Sequence, residues 1–125
     1  MGTDIVEERR MARLWDQGGA RFLAHWFTPA EIALCGQSAR PARVAACCFA
    51  VKEATLKAIG ASIGTSLPGP LRWRDIEVLI DHRGVVTVEL WGDTATDASR
   101  AGVLRLHAST GRDAGTVAAV VIAEG

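Results

Sequence analysis

Lysine is almost missing from this sequence: among 125 residues only Lys52 and Lys57 carry an ammonium side chain, against twelve arginines. Arginine is the default cation here, so a retained lysine suggests a task for a compact, titratable head group. Apolar runs long enough to cross a bilayer are absent, and no membrane role is expected. A charged-then-apolar leader is also lacking, so export is not expected and the reading is cytoplasmic. There is no excess of either charge: fourteen acidic and fourteen basic groups balance, which argues against a general nucleic-acid binder. Cysteines number three, an odd count, and Cys47 and Cys48 are adjacent in an apolar stretch. Neighbouring cysteines on a helix point in different directions, so these read as reduced core residues. Zinc would need spaced Cys/His pairs, whereas His25, His82 and His107 stand alone. Internal repeats and low-complexity segments are absent, and the length fits a single domain spanning residues 1–125.

Apolar residues make up 49% of the chain, enough for a core. The first half carries the basic clusters Arg9, Arg10, Arg13 and then Arg21, Arg40, Arg43, while acids are scattered. That half suits a small acidic partner.

The first half reads as helices. Asp4 to Glu7 is expected to open a first helix, as a capping box, that runs to about Trp15 and ends at Gln17-Gly18-Gly19. Val6, Met11, Leu14 and Trp15 would form its apolar stripe. "FTPAEI" predicts a second start, with Thr28 as N-cap, Pro29 at the first helical position and Glu31 closing a capping box. Phe27 and Ile32 would form its hydrophobic staple. A third helix is expected from about Pro41 to Gly60; it is apolar almost all round and therefore buried.

The second half changes period. "DIEVLI" (75–80) and "VVTVELW" (85–91) flank "DHRG", a hairpin signal. A short helix is expected over Thr94 to Ala101, then strands over 103–109 and 116–123, the last nearly all apolar and hence central. Helices followed by antiparallel strands give an α+β domain, amino-terminal helices packed on an antiparallel sheet.

Both lysines fall in "FAVKEATLKAIG", Phe49 to Gly60. Glu53 and Lys57 are four apart on one helix face, in the favourable order. One reading is an ordinary surface ion pair contributing about 0.2–0.5 kcal/mol. The other is a charged face lining a cleft, since the surrounding helix is apolar. Asp4 likewise reads either as a helix cap or as a ligand for a hard cation. Two carboxylates plus substrate phosphates hold Mg²⁺ where one does not, and Asp4 with Glu53 would form such a pair if the fold joins them.

"GTDIVEERRM", "RFLAHWFTPAEI", "FAVKEATLKAIG", "DIEVLIDHRGVVTVEL" and "STGRDAGTVAAVVIAEG" follow the order and spacing of the holo-acyl-carrier-protein synthases. The chain resembles this small, trimeric type of 4′-phosphopantetheinyl transferase over nearly its whole length. The resemblance implies the 4′-phosphopantetheinyl transferase-like fold and transfer of the 4′-phosphopantetheine arm of coenzyme A to a serine of an apo acyl carrier protein. It also implies release of adenosine 3′,5′-bisphosphate, Mg²⁺ as cofactor, and a setting in fatty-acid or polyketide biosynthesis. It implies Asp4 and Glu53 as metal ligands, with Glu53 also helping to activate the serine. Lys57 would contact the coenzyme A phosphates and protonate the leaving group, and Gly60 would let the nucleotide approach. Arg10, with Arg13, would grip the acidic carrier protein, and the active sites would lie between subunits of a homotrimer.

The chain departs from the family pattern at several positions. Only Met1 precedes the G-x-D motif, where the family has a few residues of strand. The loop after Gly60 reads "ASIG" where the family has T-G-x-G. Cys48 stands where an arginine is usual before the phenylalanine. Arg112 stands where a histidine is usual; it would bind phosphate in a bidentate fashion but not act as an acid or base near neutral pH. His107 is either a displaced substitute or a packing or surface residue. These departures keep open an alternative, a non-catalytic or repurposed homologue that binds coenzyme A or a carrier protein.

Overall fold

A computed structural model of the chain describes residues 1–64 and 72–125. Strand β1 (Gly2–Glu7) leads into helices α1 (Glu8–Trp26), α2 (Pro29–Gly36) and α3 (Pro41–Ile63). After a 3₁₀ turn at Trp73–Asp75 come β2 (Ile76–Ile80), β3 (Val86–Leu90), α4 (Gly92–Arg100), β4 (Arg105–Asp113) and β5 (Thr116–Glu124). The α+β class expected from the sequence is the class found.

The chain opens as a strand, not as a helix. In "GTDIVE" burial alternates, with Gly2, Asp4 and Val6 turned inward and Thr3, Ile5 and Glu7 exposed. Thr3, Ile5 and Val6 are β-branched, and their partner strand comes from the far end of the chain. β1 runs antiparallel to β5, from Gly2 opposite Val121 to Glu7 opposite Thr116. Asp4 therefore caps no helix; Glu7 occupies the N-cap of α1 without a side-chain capping bond. The expected stop at Gly18-Gly19 is a kink instead. Gly19 takes φ 68° and ψ 178°, a conformation open to glycine, and the helix resumes as far as Trp26.

The second helix starts as its sequence requires. Thr28 Oγ1 accepts from Glu31 N at 3.3 Å, and Glu31 Oε1 accepts from Thr28 N at 2.9 Å. α3 begins with Pro41 and continues through the buried Gly60 to Ile63, three residues past the expected end, where Gly64 caps it.

Two sheets form. β5 lies between β1 and β4, as its apolar sequence suggested, while β2 and β3 make a separate two-stranded sheet. Between β2 and β3, Asp81 Oδ1 accepts from Arg83 N and Val85 N at 2.8 and 2.9 Å. β4 runs four residues beyond the expected end at Ser109, so Arg112 lies on it.

The core sits between α3 and the three-stranded sheet. Ala45, Ala46, Ala50, Val51, Ala54 and Ala58 of α3 join Val117, Ala119 and Val121 of β5 in one buried cluster. Each buried valine here contributes roughly 1.5–3 kcal/mol of transfer free energy. The alanines let helix and sheet approach closely, and Gly2 takes this furthest: a Cβ there would lie 2.0 Å from Ala54 O. A second cluster, Leu56, Trp73 and Ile76, packs with Trp26, Phe49, Val88 and Leu90. Among the described residues no helix is long and apolar enough to cross a membrane.

Candidate active site

The close approach at Gly2 sets the site, because it lays β1 along α3 and carries Asp4 toward Glu53. Both carboxylates line one pocket of about 450 Å³. Arg10 lines the same pocket, with a wall that includes Met11, Phe22, Trp26 and Phe49. The sequence offered Asp4 and Glu53 as a pair if the fold joined them, and Arg10 apart from them; all three line this pocket. The need for glycine at position 2 was missed; its signal was the glycine two residues ahead of the aspartate.

Lys57 stands on the next turn of α3 and bonds across to β1. Its Nζ donates to Asp4 Oδ1 at 3.1 Å and to Thr3 O at 3.0 Å. Glu53 instead accepts from the indole Nε1 of Trp73, Oε1 to Nε1 2.8 Å. The ion pair considered for Glu53 and Lys57 is therefore replaced by one between Lys57 and Asp4.

The other lysine is buried. Lys52 has no exposed surface and pairs with the equally buried Glu31, Nζ to Oε1 2.7 Å. Its Nζ also donates to Trp73 O at 2.5 Å and to Ile76 O. Glu31 does more than cap α2, since its Oε2 accepts from Val78 N at 2.8 Å. Burial pushes the Glu31 carboxyl up, opposed by Lys52, and pushes the Lys52 amine down, opposed by Glu31. This pair ties α2, α3 and β2 together behind Glu53. A sequence reading assigns it no role, because the two residues lie 21 positions apart.

The structure does not place Arg112 with Asp4 and Glu53. Its Nε meets Glu8 Oε1 at 2.6 Å, and Arg43 Nε meets the same oxygen at 3.0 Å. Glu8 and Arg43 line a separate cavity of about 730 Å³, together with Arg9, Arg40 and Gly115. His107 is exposed, with Nε2 3.4 Å from Glu124 Oε1. Cys48 is buried in the core, where its contact with the buried Cys35, then burial itself, raises its thiol pKa. Arg13 and Gly60 lie outside the 450 Å³ pocket: Arg13 is exposed on α1, and Gly60 is buried within α3.

Among the described residues no group of three or more His, Cys, Asp or Glu side chains is arranged to hold an ion. The donor set suits a hard cation all the same. Asp4 and Glu53 offer carboxylate oxygens on one pocket, and Mg²⁺ is characteristically held by one or two carboxylates with substrate phosphates and water completing its shell.

Comparison with known proteins points the same way. Residues 1–121 match the model of the 4′-phosphopantetheinyl transferase superfamily. The chain is 37% identical to the holo-[acyl-carrier-protein] synthase of Clavibacter michiganensis subsp. michiganensis over 125 residues, all of this chain and 94% of the relative. Its fold is similar to that of the Neisseria meningitidis holo-[acyl-carrier-protein] synthase, with a TM-score of 0.80 and 32% identity over 99% of this chain and 96% of that one. The Helicobacter pylori holo-[acyl-carrier-protein] synthase, solved in complex with coenzyme A, gives a TM-score of 0.78 and 27% identity over 98% of each chain. With the fold, the motif blocks and these matches in agreement over nearly its entire length, the chain belongs to the 4′-phosphopantetheinyl transferase superfamily.

Proposed function

We propose that the chain is an Mg²⁺-dependent transferase that moves the 4′-phosphopantetheine arm of coenzyme A to a serine of an apo acyl carrier protein, releasing adenosine 3′,5′-bisphosphate. The observation that carries this reading is the convergence of Asp4 and Glu53, from a strand and a helix, on one pocket with Lys57 bonded to Asp4. Asp4 and Glu53 would hold the metal, which when bound neutralises and orients the pyrophosphate under attack. Glu53 also helps to activate the serine hydroxyl, whose proton passes to water. Lys57 offsets charge on the leaving phosphate and returns a proton to it from Nζ. Arg112 binds a coenzyme A phosphate. Arg10 and Arg13, exposed on α1, receive the acidic carrier protein, and opposite charge speeds that encounter.

The assembly that fits is a homotrimer of single-domain chains, residues 1–125, working in the cytoplasm for fatty-acid or polyketide synthesis. Its support is the outer face of the three-stranded sheet, where Ile5, Val120 and Ile122 are exposed together. An apolar face of this kind marks an interface. Arg112 sits apart from the Asp4–Glu53 pocket of its own chain, and in the trimer it serves a neighbour's site.

The test is incubation with coenzyme A, Mg²⁺ and several apo carrier proteins, read by intact mass. The expected result is the increment of one phosphopantetheine on a carrier, abolished by carrier Ser→Ala. Coenzyme A binding with no transfer to any carrier would refute the transferase and favour the repurposed homologue.

A further inference from the structure

A buried indole N–H needs an acceptor, and most side-chain hydrogen bonds go to backbone or water. Trp73 uses the carboxylate of Glu53 instead, at 2.8 Å. Its ring is 8% exposed, stacks on Trp26 with centroids 4.0 Å apart and 23° between planes, and packs against Phe49. The donor is therefore held by aromatic packing on two sides. The backbone of the same residue is held as well, since Lys52 Nζ donates to Trp73 O. Consecutive residues of α3 thus grip Trp73 at both ends, Lys52 by its carbonyl and Glu53 by its indole. Lys52 is in turn fixed by Glu31, which accepts from Thr28 N and Val78 N.

We infer that Trp73 is a positioning residue: its indole N–H fixes the rotamer of Glu53 at Oε1 and leaves Oε2 for the metal, while Lys52 and Glu31 hold the turn that aims the indole. Among the described residues Oε2 accepts no side-chain hydrogen bond, so the indole is the one such contact that orients this carboxylate. An unclamped glutamate samples several rotamers, and metal binding must then freeze one. This inference rests on the reading of Glu53 as a metal ligand.

Trp73→Phe keeps a ring for the stack and deletes the N–H. The expected result is an increase of about tenfold in the Mg²⁺ concentration for half-maximal transfer, the scale of one hydrogen bond to a charged group. Turnover should recover at saturating Mg²⁺. A residue that only filled space would lower the melting temperature and leave the Mg²⁺ dependence alone, and that outcome overturns the proposal. A second readout needs neither metal nor turnover. Four tryptophans give four indole N–H signals in a ¹⁵N–¹H spectrum, and Trp73→Phe identifies the one from Trp73. Glu53→Gln should shift that signal more than the other three. An unmoved signal would overturn the clamp by itself, whereas a wild-type protein without Mg²⁺ response would overturn the metal reading and the role given to the clamp.

Discussion

Replacing Lys52 with methionine removes one buried charge and leaves the other. Glu31 would keep Thr28 N at 2.9 Å and Val78 N at 2.8 Å but lose its cation at 2.7 Å, with no exposure to water. Breaking a buried pair from one side costs about 3–5 kcal/mol, mostly as an uncompensated charge. Trp73 O and Ile76 O lose their lysine donor at the same time. In a domain whose total stability is roughly 5–15 kcal/mol, the variant should melt about 10–20 °C lower. Adding Glu31→Gln removes the stranded charge, so the double variant should be more stable than Lys52→Met alone. The effect has a sign in pH. Burial already raises the Glu31 carboxyl against the pull of Lys52, and without Lys52 it should rise further, so the folded variant keeps a proton that the unfolded chain releases. The deficit should thus be smallest below pH 4.5 and grow as pH rises through the raised folded value. Urea denaturation at fixed protein concentration, across pH, measures all of this. A cost under about 1 kcal/mol, or single effects that simply add, would refute the reasoning.

Lys57→Arg keeps a cation but not a compact, titratable head, so turnover should fall about tenfold or more while coenzyme A still binds; an unchanged rate would make Lys57 a generic charge. Arg10→Glu with Arg13→Glu should slow association with the acidic carrier roughly tenfold at low salt, with a smaller effect at high salt, in stopped-flow binding. If the proposed trimer forms through the exposed face of β5, Val120→Asp should give monomers in analytical ultracentrifugation and abolish transfer, because Arg112 would then have no neighbour's site to serve.

Local signals in the sequence read correctly. The Thr28–Glu31 capping box, the Asp81–Gly84 turn and the apolar run of β5 each depend on residues a few positions apart, and each appears as expected. What failed depends on distance along the chain. "GTDIVE" looks like a helix start because Asp4 and Glu7 imitate a capping box, and only pairing with β5 makes it a strand. Gly18-Gly19 looks like a stop, yet the chain re-forms its helix beyond the kink. Asp4, Glu53 and Arg10 were legible as chemistry, while their meeting depended on Gly2 lying against Ala54. Lys52 was legible only as an oddity of composition. Glu31 and Trp73, its partners, are 21 residues away on either side of it.

The central claim is that Asp4 and Glu53 together hold the metal in this chain. Crystals grown with Mn²⁺ and adenosine 3′,5′-bisphosphate would test it by anomalous diffraction. The account predicts one manganese peak bound by the carboxylates of Asp4 and Glu53, lost in Asp4→Ala and Glu53→Ala crystals. A peak held by other donors, or one that survives both substitutions, would contradict it.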